Sequence, residues 1–242
     1  MPTRHLTARA APLALPCLLV ACLTWPAAAQ NPAPSAAPPA AAVAPVPANS
    51  DFKELPPSPR LIRQLRNGGY VLYMRHGTTD NSRADSATDL RLDDCSTQRV
   101  LNDEGRRMAV TLGTSLRKAQ IPLAEIIHSP LCRTTETVRL AFPGFKGPIR
   151  ADPDLMYTAN LTTEQKKPVL VATRRLVSTL PPAGSNRLIV AHAPNMADLM
   201  GYFVKPEGTI VVLQPLGDGR FEYLASIPPP SWPTLLNAID KE

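Results

Sequence analysis

The chain has 242 residues, of which 26 are basic and 20 acidic, so its formal net charge is +6 at neutral pH. This length allows one or at most two ordinary domains. Aromatic residues make up only 5% of the sequence, and no basic run is interleaved with them, which argues against nucleic acid as a partner.

The first 29 residues have the order of a secretory signal peptide. Two arginines and no acid lie in residues 1–9, residues 10–25 are almost wholly apolar, and three alanines precede Gln30. Pro16 interrupts the apolar stretch, which makes a permanent membrane span the weaker interpretation. We therefore expect a periplasmic or secreted protein. Cleavage leaves 24 basic against 20 acidic residues, a mild excess that suits anionic ligands.

A second interpretation of the leader rests on Leu19 to Cys22, which is similar to a bacterial lipobox. In that case Cys22 would be acylated and would anchor the protein to a membrane. The apolar character continues past Cys22 to the alanine-rich cleavage pattern, so simple cleavage after Ala29 is favoured.

Residues 30–50 are nearly all Ala, Pro and Val, without a charged or aromatic side chain. Such a segment buries too little apolar surface to offset its chain entropy, which predicts a disordered, semi-extended linker. Residues 51–242 are long enough for one domain with a sizeable core. The sequence therefore predicts a signal peptide over 1–29, a linker over 30–50 and a folded domain over 51–242.

Strands and helices alternate along the predicted domain. The apolar run from Tyr70 to Met74 predicts a buried strand that stops in a tight turn near Gly77. Asn102 can cap a helix that has two acidic residues in its first turn and ends before Pro122. A second strand is predicted over 125–128.

The alternation continues in the second half of the domain. Ser129 as cap and Pro130 as first residue predict a helix that runs to about Phe142. The remaining predicted elements are a weak strand over 148–150, a helix over 163–179, a strand over 187–191, two strands over 208–214 and 220–226 joined by the turn at 217–219, and a short helix near Leu235. This order predicts an α/β fold, a three-layer α/β/α sandwich with a mainly parallel central sheet.

Basic side chains lie at the carboxyl ends of two predicted strands and at the start of one predicted helix. Ligands of open parallel sheets bind outside the carboxyl ends of the strands, so Arg75, His76, Arg133 and His192 would face one site. Phosphoryl transfer needs an in-line nucleophile and fixed positive donors around three charged oxygens. Arg75 and Arg133 offer bidentate guanidinium groups. Their charges would lower the pKa of His76 and keep this side chain neutral and nucleophilic.

These residues resemble a known family. Arg75-His76-Gly77 resembles the RHG signature of the histidine phosphatase superfamily, also called phosphoglycerate mutase-like. Three further elements follow over residues 65–227: residues 101–116 resemble the LTxxGxxQAxxLG helix with Met108 in place of the usual Gln, residues 129–137 resemble the SxxxRxxxT element, and residues 188–192 resemble the late strand with its histidine.

The resemblance implies a phosphatase with a phosphoglycerate mutase-like fold. His76 would accept the phosphoryl group, Arg75, Arg133 and His192 would bind and stabilise it, and water would hydrolyse the phosphohistidine without a metal or other cofactor. The substrate would be a small phosphorylated compound, and export suggests either an envelope sugar phosphate, such as a phosphorylated lipopolysaccharide sugar, or a scavenged phosphomonoester. No obligatory protein partner is indicated.

Two positions depart from the family pattern. Tyr157 stands where a glutamate often protonates the leaving group, and Ala193 stands where the other branch of the superfamily has an aspartate. Glu164 is the first candidate for a substitute donor, with Asp80 and Asp154 behind it. The further alternative is that no donor exists.

Other interpretations of single residues are weaker. His76, His128 and His192 would form a metal site only if they met, and the arginines beside them would repel a cation. His128 is interpreted as a structural neighbour of the site, and isolated core histidines would not explain the adjacent arginines. Cys95 and Cys132 permit a disulfide in an exported protein, with two buried free thiols as the alternative.

Two other functions compete with a phosphatase. A mutase would need the missing glutamate and a cytoplasmic sugar phosphate, which predicted export disfavours. A catalytically inactive binding protein would have lost part of the set formed by Arg75, His76, Arg133 and His192, and all four are present.

Overall fold

The computed structural model describes residues 52–241. The predicted signal peptide, the linker and Cys22 lie outside these residues. In the described part, one six-stranded sheet is covered by helices on both faces. The predicted three-layer α/β/α architecture is confirmed. None of the helices in this part combines the length and the apolar character needed to cross a bilayer.

The sheet contains six strands: β1 Val71–Arg75, β2 Leu123–His128, β3 Ile149–Ala151, β4 Asn186–Ala191, β5 Ile210–Gly217 and β6 Arg220–Ile227. The helices are α1 Pro59–Leu65, α2 Asp103–Lys118, α3 Cys132–Ala141, α4 Thr163–Ser178, α5 Ala193–Met200 and α6 Trp232–Ile239. Short 3₁₀ helices lie at Cys95–Thr97, Pro153–Leu155, Thr158–Asn160 and Pro229–Ser231.

The strand order is β3-β2-β4-β1-β5-β6. The first four strands in this order run parallel, and β5 and β6 are antiparallel additions beside β1. Asp218 and Gly219 close the β5–β6 hairpin with φ of 52° and 74°, as a two-residue turn of this kind requires. Because β2, β4 and β1 are neighbours, their carboxyl ends meet at one edge of the sheet.

Alternate side chains of the central strands support the two helical layers. Leu72 and Met74 of β1 pack with α1, α2, α3 and α6 on one face. Val71 and Tyr73 pack with α4 and α5 on the other. All six residues of β4 are buried. Because these strands are buried on both faces, their sequences are continuous apolar runs, and such runs are what predicted them.

The structure corrects the predicted start of one helix. α3 begins at Cys132, not at Pro130, and the residue before it, Leu131, is extended and makes no side-chain cap. Ser129 is therefore not a helix cap. Its hydroxyl oxygen lies 2.8 Å from Nε2 of His192 instead, because the extended residues after β2 turn it toward the neighbouring strand end.

Other helix boundaries agree with the sequence, and two helices were not predicted. The Asn102 side chain accepts a hydrogen bond from the Gly105 amide at 2.8 Å, as an N-cap does. The two missed helices, α1 and α5, have only seven and eight residues. At that length the helical repeat in the sequence is too short to recognise.

Candidate active site

His76 follows the last residue of β1 and is 1% exposed. Its ring Nδ1 lies 2.8 Å from the carbonyl oxygen of Gly77. A carbonyl oxygen only accepts, so Nδ1 carries the proton and Nε2 keeps its lone pair. Burial lowers the pKa of His76 well below its usual value, and Arg133, Arg75 and Arg99 lower it further. His76 is therefore a neutral imidazole with a free nucleophilic nitrogen.

Two glycines bring the turn after β1 into close contact with α2. A Cβ atom on Gly77 would lie 2.7 Å from the carbonyl oxygen of Gly105, closer than real carbon atoms approach. The amide of Gly77 also donates to the Thr137 hydroxyl of α3 at 3.1 Å. The turn that carries His76 is thus held by both neighbouring helices, which explains the glycine in the RHG element.

His192 follows β4 and is fully buried, with its ring centroid 5.4 Å from that of His76. The Leu131 amide donates to the Ser129 hydroxyl oxygen at 3.4 Å, and the hydroxyl hydrogen can be donated to Nε2 of His192. In that tautomer Nδ1 of His192 carries the proton, and this buried atom has no partner in residues 52–241. Burial and the neighbouring arginines lower the pKa of His192 well below its usual value.

Arg75 and Arg133 each leave part of a buried guanidinium group unpaired. Nη1 of Arg133 donates to Asp85 at 2.9 Å, while its Nε and Nη2 have no partner in the described chain. Arg75 donates to the Val204 carbonyl oxygen at 2.9 Å and pairs with Glu207 at 3.1 Å, while its Nε has none. Because buried donors are normally satisfied, these atoms indicate a site for an anion with several oxygens.

Two further residues belong to the site although their place in it was not predicted. Arg99 lowers the pKa of both histidines and of both arginines, so it is a third cation close to all four. Asp85 accepts from Arg133 and from the Arg99 amide, the latter at 2.8 Å. Both lie in the long connection between β1 and α2, where no repeat or motif in the sequence marks them.

Tyr157 lies directly beside the basic residues. Its ring centroid is 5.1 Å from Cζ of Arg133 and 5.3 Å from the ring centroid of His192, which it meets edge to face. A cavity of about 240 Å³ adjoins it, with Asp85, Arg99 and Asn160 also in its wall. The cavity therefore shares residues with the anion site and provides room for the rest of a substrate.

The three carboxylates predicted as proton donors have other surroundings. Asp80 accepts from the Ser82 amide at 2.9 Å and from its hydroxyl at 2.7 Å, and these bonds lower the pKa of Asp80. Glu164 is 78% exposed and pairs with Lys167. No hydrogen bond or ion pair in the described chain links Asp80, Glu164 or Asp154 to the histidines or arginines of the site.

The cysteines and the third histidine lie near the site. A disulfide joins Cys95 to Cys132, the residue before Arg133. His128 ends β2 and directs Nδ1 to the Ser129 carbonyl oxygen at 2.8 Å. Within residues 52–241, no three His, Cys, Asp or Glu side chains are grouped as ligands for a metal ion.

The chain matches one family model and several solved structures. Residues 71–174 match the model described as "Histidine phosphatase superfamily (branch 1)". This range contains Arg75, His76 and Arg133 and ends before His192. No protein with a curated description is significantly similar in sequence.

Three similar structures illustrate the distance to characterised proteins. The protein histidine phosphatase SixA in complex with tungstate is 15% identical, with a TM-score of 0.46 over 67% of this chain and 98% of that one. YhfR of Bacillus stearothermophilus is 19% identical, with a TM-score of 0.44 over 64% of this chain and 95% of that one. The mycobacterial glucosyl-3-phosphoglycerate phosphatase Rv2419c is 18% identical, with a TM-score of 0.46 over 64% of this chain and 96% of that one. At these identities and TM-scores the three structures do not indicate a substrate for this chain.

Proposed function

Through its residues 71–174 the chain belongs to the histidine phosphatase superfamily, and from this premise we propose that it hydrolyses phosphomonoesters through a phosphohistidine on His76. The observation that carries the proposal is a neutral buried histidine surrounded by unpaired guanidinium donors. Such a site attracts a phosphoryl group and presents a nucleophile to it. A structural cluster of the same residues would have its donors paired.

In the first step, Nε2 of His76 attacks phosphorus. The bond from phosphorus to the leaving oxygen breaks, and the negative charge of the phosphoryl group is shared among the guanidinium groups of Arg75 and Arg133 and the Nδ1 proton of His192. These donors are already in place, so the protein does not reorganise when charge moves in the transition state. Arg99 adds a third positive charge at the same place.

In the second step, a water molecule attacks phosphorus and the bond to Nε2 breaks. Inorganic phosphate leaves, and His76 returns to its neutral form with the proton still on Nδ1. The guanidinium groups neutralise the phosphate charge in both steps, so the scheme assigns no role to a metal ion.

The substrate would be a small phosphorylated compound whose leaving part occupies the cavity beside Tyr157. We further propose that the protein is exported after cleavage following Ala29 and that its substrate is an envelope sugar phosphate. Intact-mass measurement tests the first part. A mature chain that begins at Gln30 supports simple secretion, whereas a diacylglycerol mass on Cys22 means a lipoprotein.

Turnover experiments with the mature protein test the proposed activity. Phosphate release is measured on a panel of phosphorylated sugars and other monoesters in ¹⁸O-labelled water. We expect one labelled oxygen in each phosphate released, no effect of EDTA, and no turnover by His76→Ala. Transfer of the phosphoryl group to a second sugar position without label would identify a mutase, and tight binding without turnover would identify a binding protein.

A further inference from the structure

The carboxylates that border the site are hydrogen-bond acceptors. Asp85 accepts from Arg133 and from the Arg99 amide. Glu207 pairs with Arg75 and accepts from the Thr79 hydroxyl at 3.3 Å. Both carboxylates thus act as acceptors toward protein donors. Neither group is arranged as a donor to a leaving oxygen.

Most hydroxyl groups of the site are also committed. Ser129 is hydrogen-bonded to His192. Thr137 donates to the Arg133 carbonyl oxygen at 2.7 Å and accepts from the Gly77 amide. Tyr157 differs, because its hydroxyl makes no hydrogen bond to any residue between 52 and 241. Its proton is therefore not already donated to a group in that range. The hydroxyls of Thr158 and Thr209 also have no partner there, but an alkyl hydroxyl is a far weaker acid than a phenol.

The position of Tyr157 suits a role at the leaving group. Its ring contacts Arg133 and His192, which bind the phosphoryl group in the proposed function, and it also lines the cavity beside them. In-line displacement requires the leaving oxygen to point away from the attacking nitrogen. The cavity at Tyr157 adjoins the phosphoryl site through Asp85 and Arg99, so a leaving oxygen directed into it would meet this side chain.

We propose that Tyr157 is the proton donor to the leaving group, an inference that rests on the proposed phosphatase function. As the bond from Nε2 of His76 to phosphorus forms and the bond to the leaving oxygen breaks, the phenol proton moves to that oxygen. The products of this step are a neutral alcohol, a phosphohistidine and a tyrosinate. In the second step the tyrosinate takes a proton from the attacking water, and the phenol is restored.

Two cations lie beside Tyr157. Its ring centroid is 5.1 Å from Cζ of Arg133, and Arg75 is close enough to interact with it electrostatically. The negative charge that this step leaves on the phenol oxygen would therefore lie near two guanidinium groups.

Tyr157→Phe tests the proposal because it removes only the hydroxyl and keeps the ring against Arg133 and His192. Rapid-quench measurements on the full mature protein give the rate of phosphohistidine formation for substituted phenyl phosphates and alkyl phosphates. We expect the variant to lose about a hundredfold or more on alkyl phosphates, the usual range for a placed acid. The loss on dinitrophenyl phosphate should be less than about threefold, since a good leaving group departs without a proton.

Matched controls separate this role from a structural one. Tyr223→Phe removes a hydroxyl that bonds Leu55 and Ser226 in another part of the protein, and should leave all rates unchanged. Thermal melting shows whether Tyr157→Phe is folded. An equal loss of rate on every substrate, or no loss, would overturn the proposal. It would also be overturned if Glu164→Gln, and not Tyr157→Phe, made the rate of phosphohistidine formation depend steeply on the pKa of the leaving group. Absence of any phosphohistidine in the wild type would refute the proposed function itself.

Discussion

Arg187 and Arg133 are both buried, and they lie at opposite ends of the same sheet. Arg187, at the amino end of β4, pairs with Glu125 at 2.8 Å and donates to the carbonyl oxygens of Leu176 and Thr179. Arg133, near the carboxyl ends, pairs with Asp85 but keeps two buried nitrogens without a partner in the described chain. Burial of a charge is thus common to both residues, and only the pairing of the donors differs.

The same contrast holds for the neighbours of these arginines. Asn186, next to Arg187, accepts from the Tyr70 amide and donates to the carbonyl oxygens of Leu65 and Pro122. His192, at the other end of β4, has a buried Nδ1 without a partner in residues 52–241. At the amino end of β4 the polar groups are paired with one another in a closed network that stabilises the fold. At the carboxyl end several buried donors are unpaired and are therefore available to bind an anion.

The largest effect should come from Arg133→Gln. Loss of two phosphate donors predicts a fall in kcat/KM of roughly a thousandfold, about 4 kcal/mol of transition-state stabilisation. Arg187→Gln removes the same charge from the closed network and should keep kcat/KM within about threefold, as expected away from the site. Steady-state kinetics of the two variants decide this, and similar losses in both would remove the distinction between the two ends.

Loss of the disulfide should reduce stability by up to about 4 kcal/mol, from the entropy of the loop it closes. The change is the double variant Cys95→Ser and Cys132→Ser, compared with the wild type by urea unfolding. Because Cys132 precedes Arg133, the bond fixes the connection that carries Asp85 and Arg99 against α3. If the double variant were as stable as the oxidised wild type, the disulfide would not contribute to stability. The connection between β1 and α2 would then be fixed against α3 by its other contacts alone.

Arg187→Met should destabilise the protein by about 3 kcal/mol, since it leaves Glu125 and two carbonyl oxygens without their partner. Urea unfolding measures this loss. The double variant Arg187→Met and Glu125→Leu should recover part of it, because no charge is then left unpaired. If Arg187→Met alone is as stable as the wild type, the amino-end network does not stabilise the fold.

Acid should destabilise the protein through the histidines of the carboxyl end. The folded-state pKa values of His76 and His192 are lowered, so the unfolded chain binds protons that the folded chain does not. The contribution of each histidine to the free energy of unfolding is therefore fully present above the unfolded-state pKa of about 6.5. It is lost as the pH falls below that value, by up to about 1.4 kcal/mol per pH unit for each histidine.

The comparison for this effect is the double variant His76→Gln and His192→Gln. Between about pH 7 and pH 5.5 the wild type should lose about 2 kcal/mol more of its unfolding free energy than this variant. Equal losses in the two proteins would mean that the histidines are protonated in the folded state. Urea titrations at the two pH values give both numbers.

Much of the fold follows from the sequence, because buried strands and capped helices carry local signals. The apolar runs of β1 and β4 and the cap of α2 at Asn102 gave correct elements. The predicted start of α3 was wrong. Ser129 and Pro130 are residues that often begin a helix, but in the fold the Ser129 hydroxyl contacts His192 instead of capping α3. That contact joins residues far apart in the chain, which a local pattern does not reveal.

The site was predictable where a motif spans it. Arg75, His76, Arg133 and His192 stand at strand or helix ends, and the structure brings them together. Arg99 and Asp85 were not found, because they lie in an irregular connection and reach the site by tertiary packing. Tyr157 was noticed only as a departure from the family pattern, and its contacts with Arg133 and His192 come from the fold alone.

Rapid quench with ³²P-labelled substrate shows directly whether His76 accepts the phosphoryl group. We expect acid-labile, base-stable label on His76 within a single turnover, formed as fast as the alcohol is released. His76→Ala should carry none, and His128→Ala should carry the wild-type amount. Label that persists in His76→Ala, or that is found on Ser129, would exclude His76 as the phosphoryl acceptor.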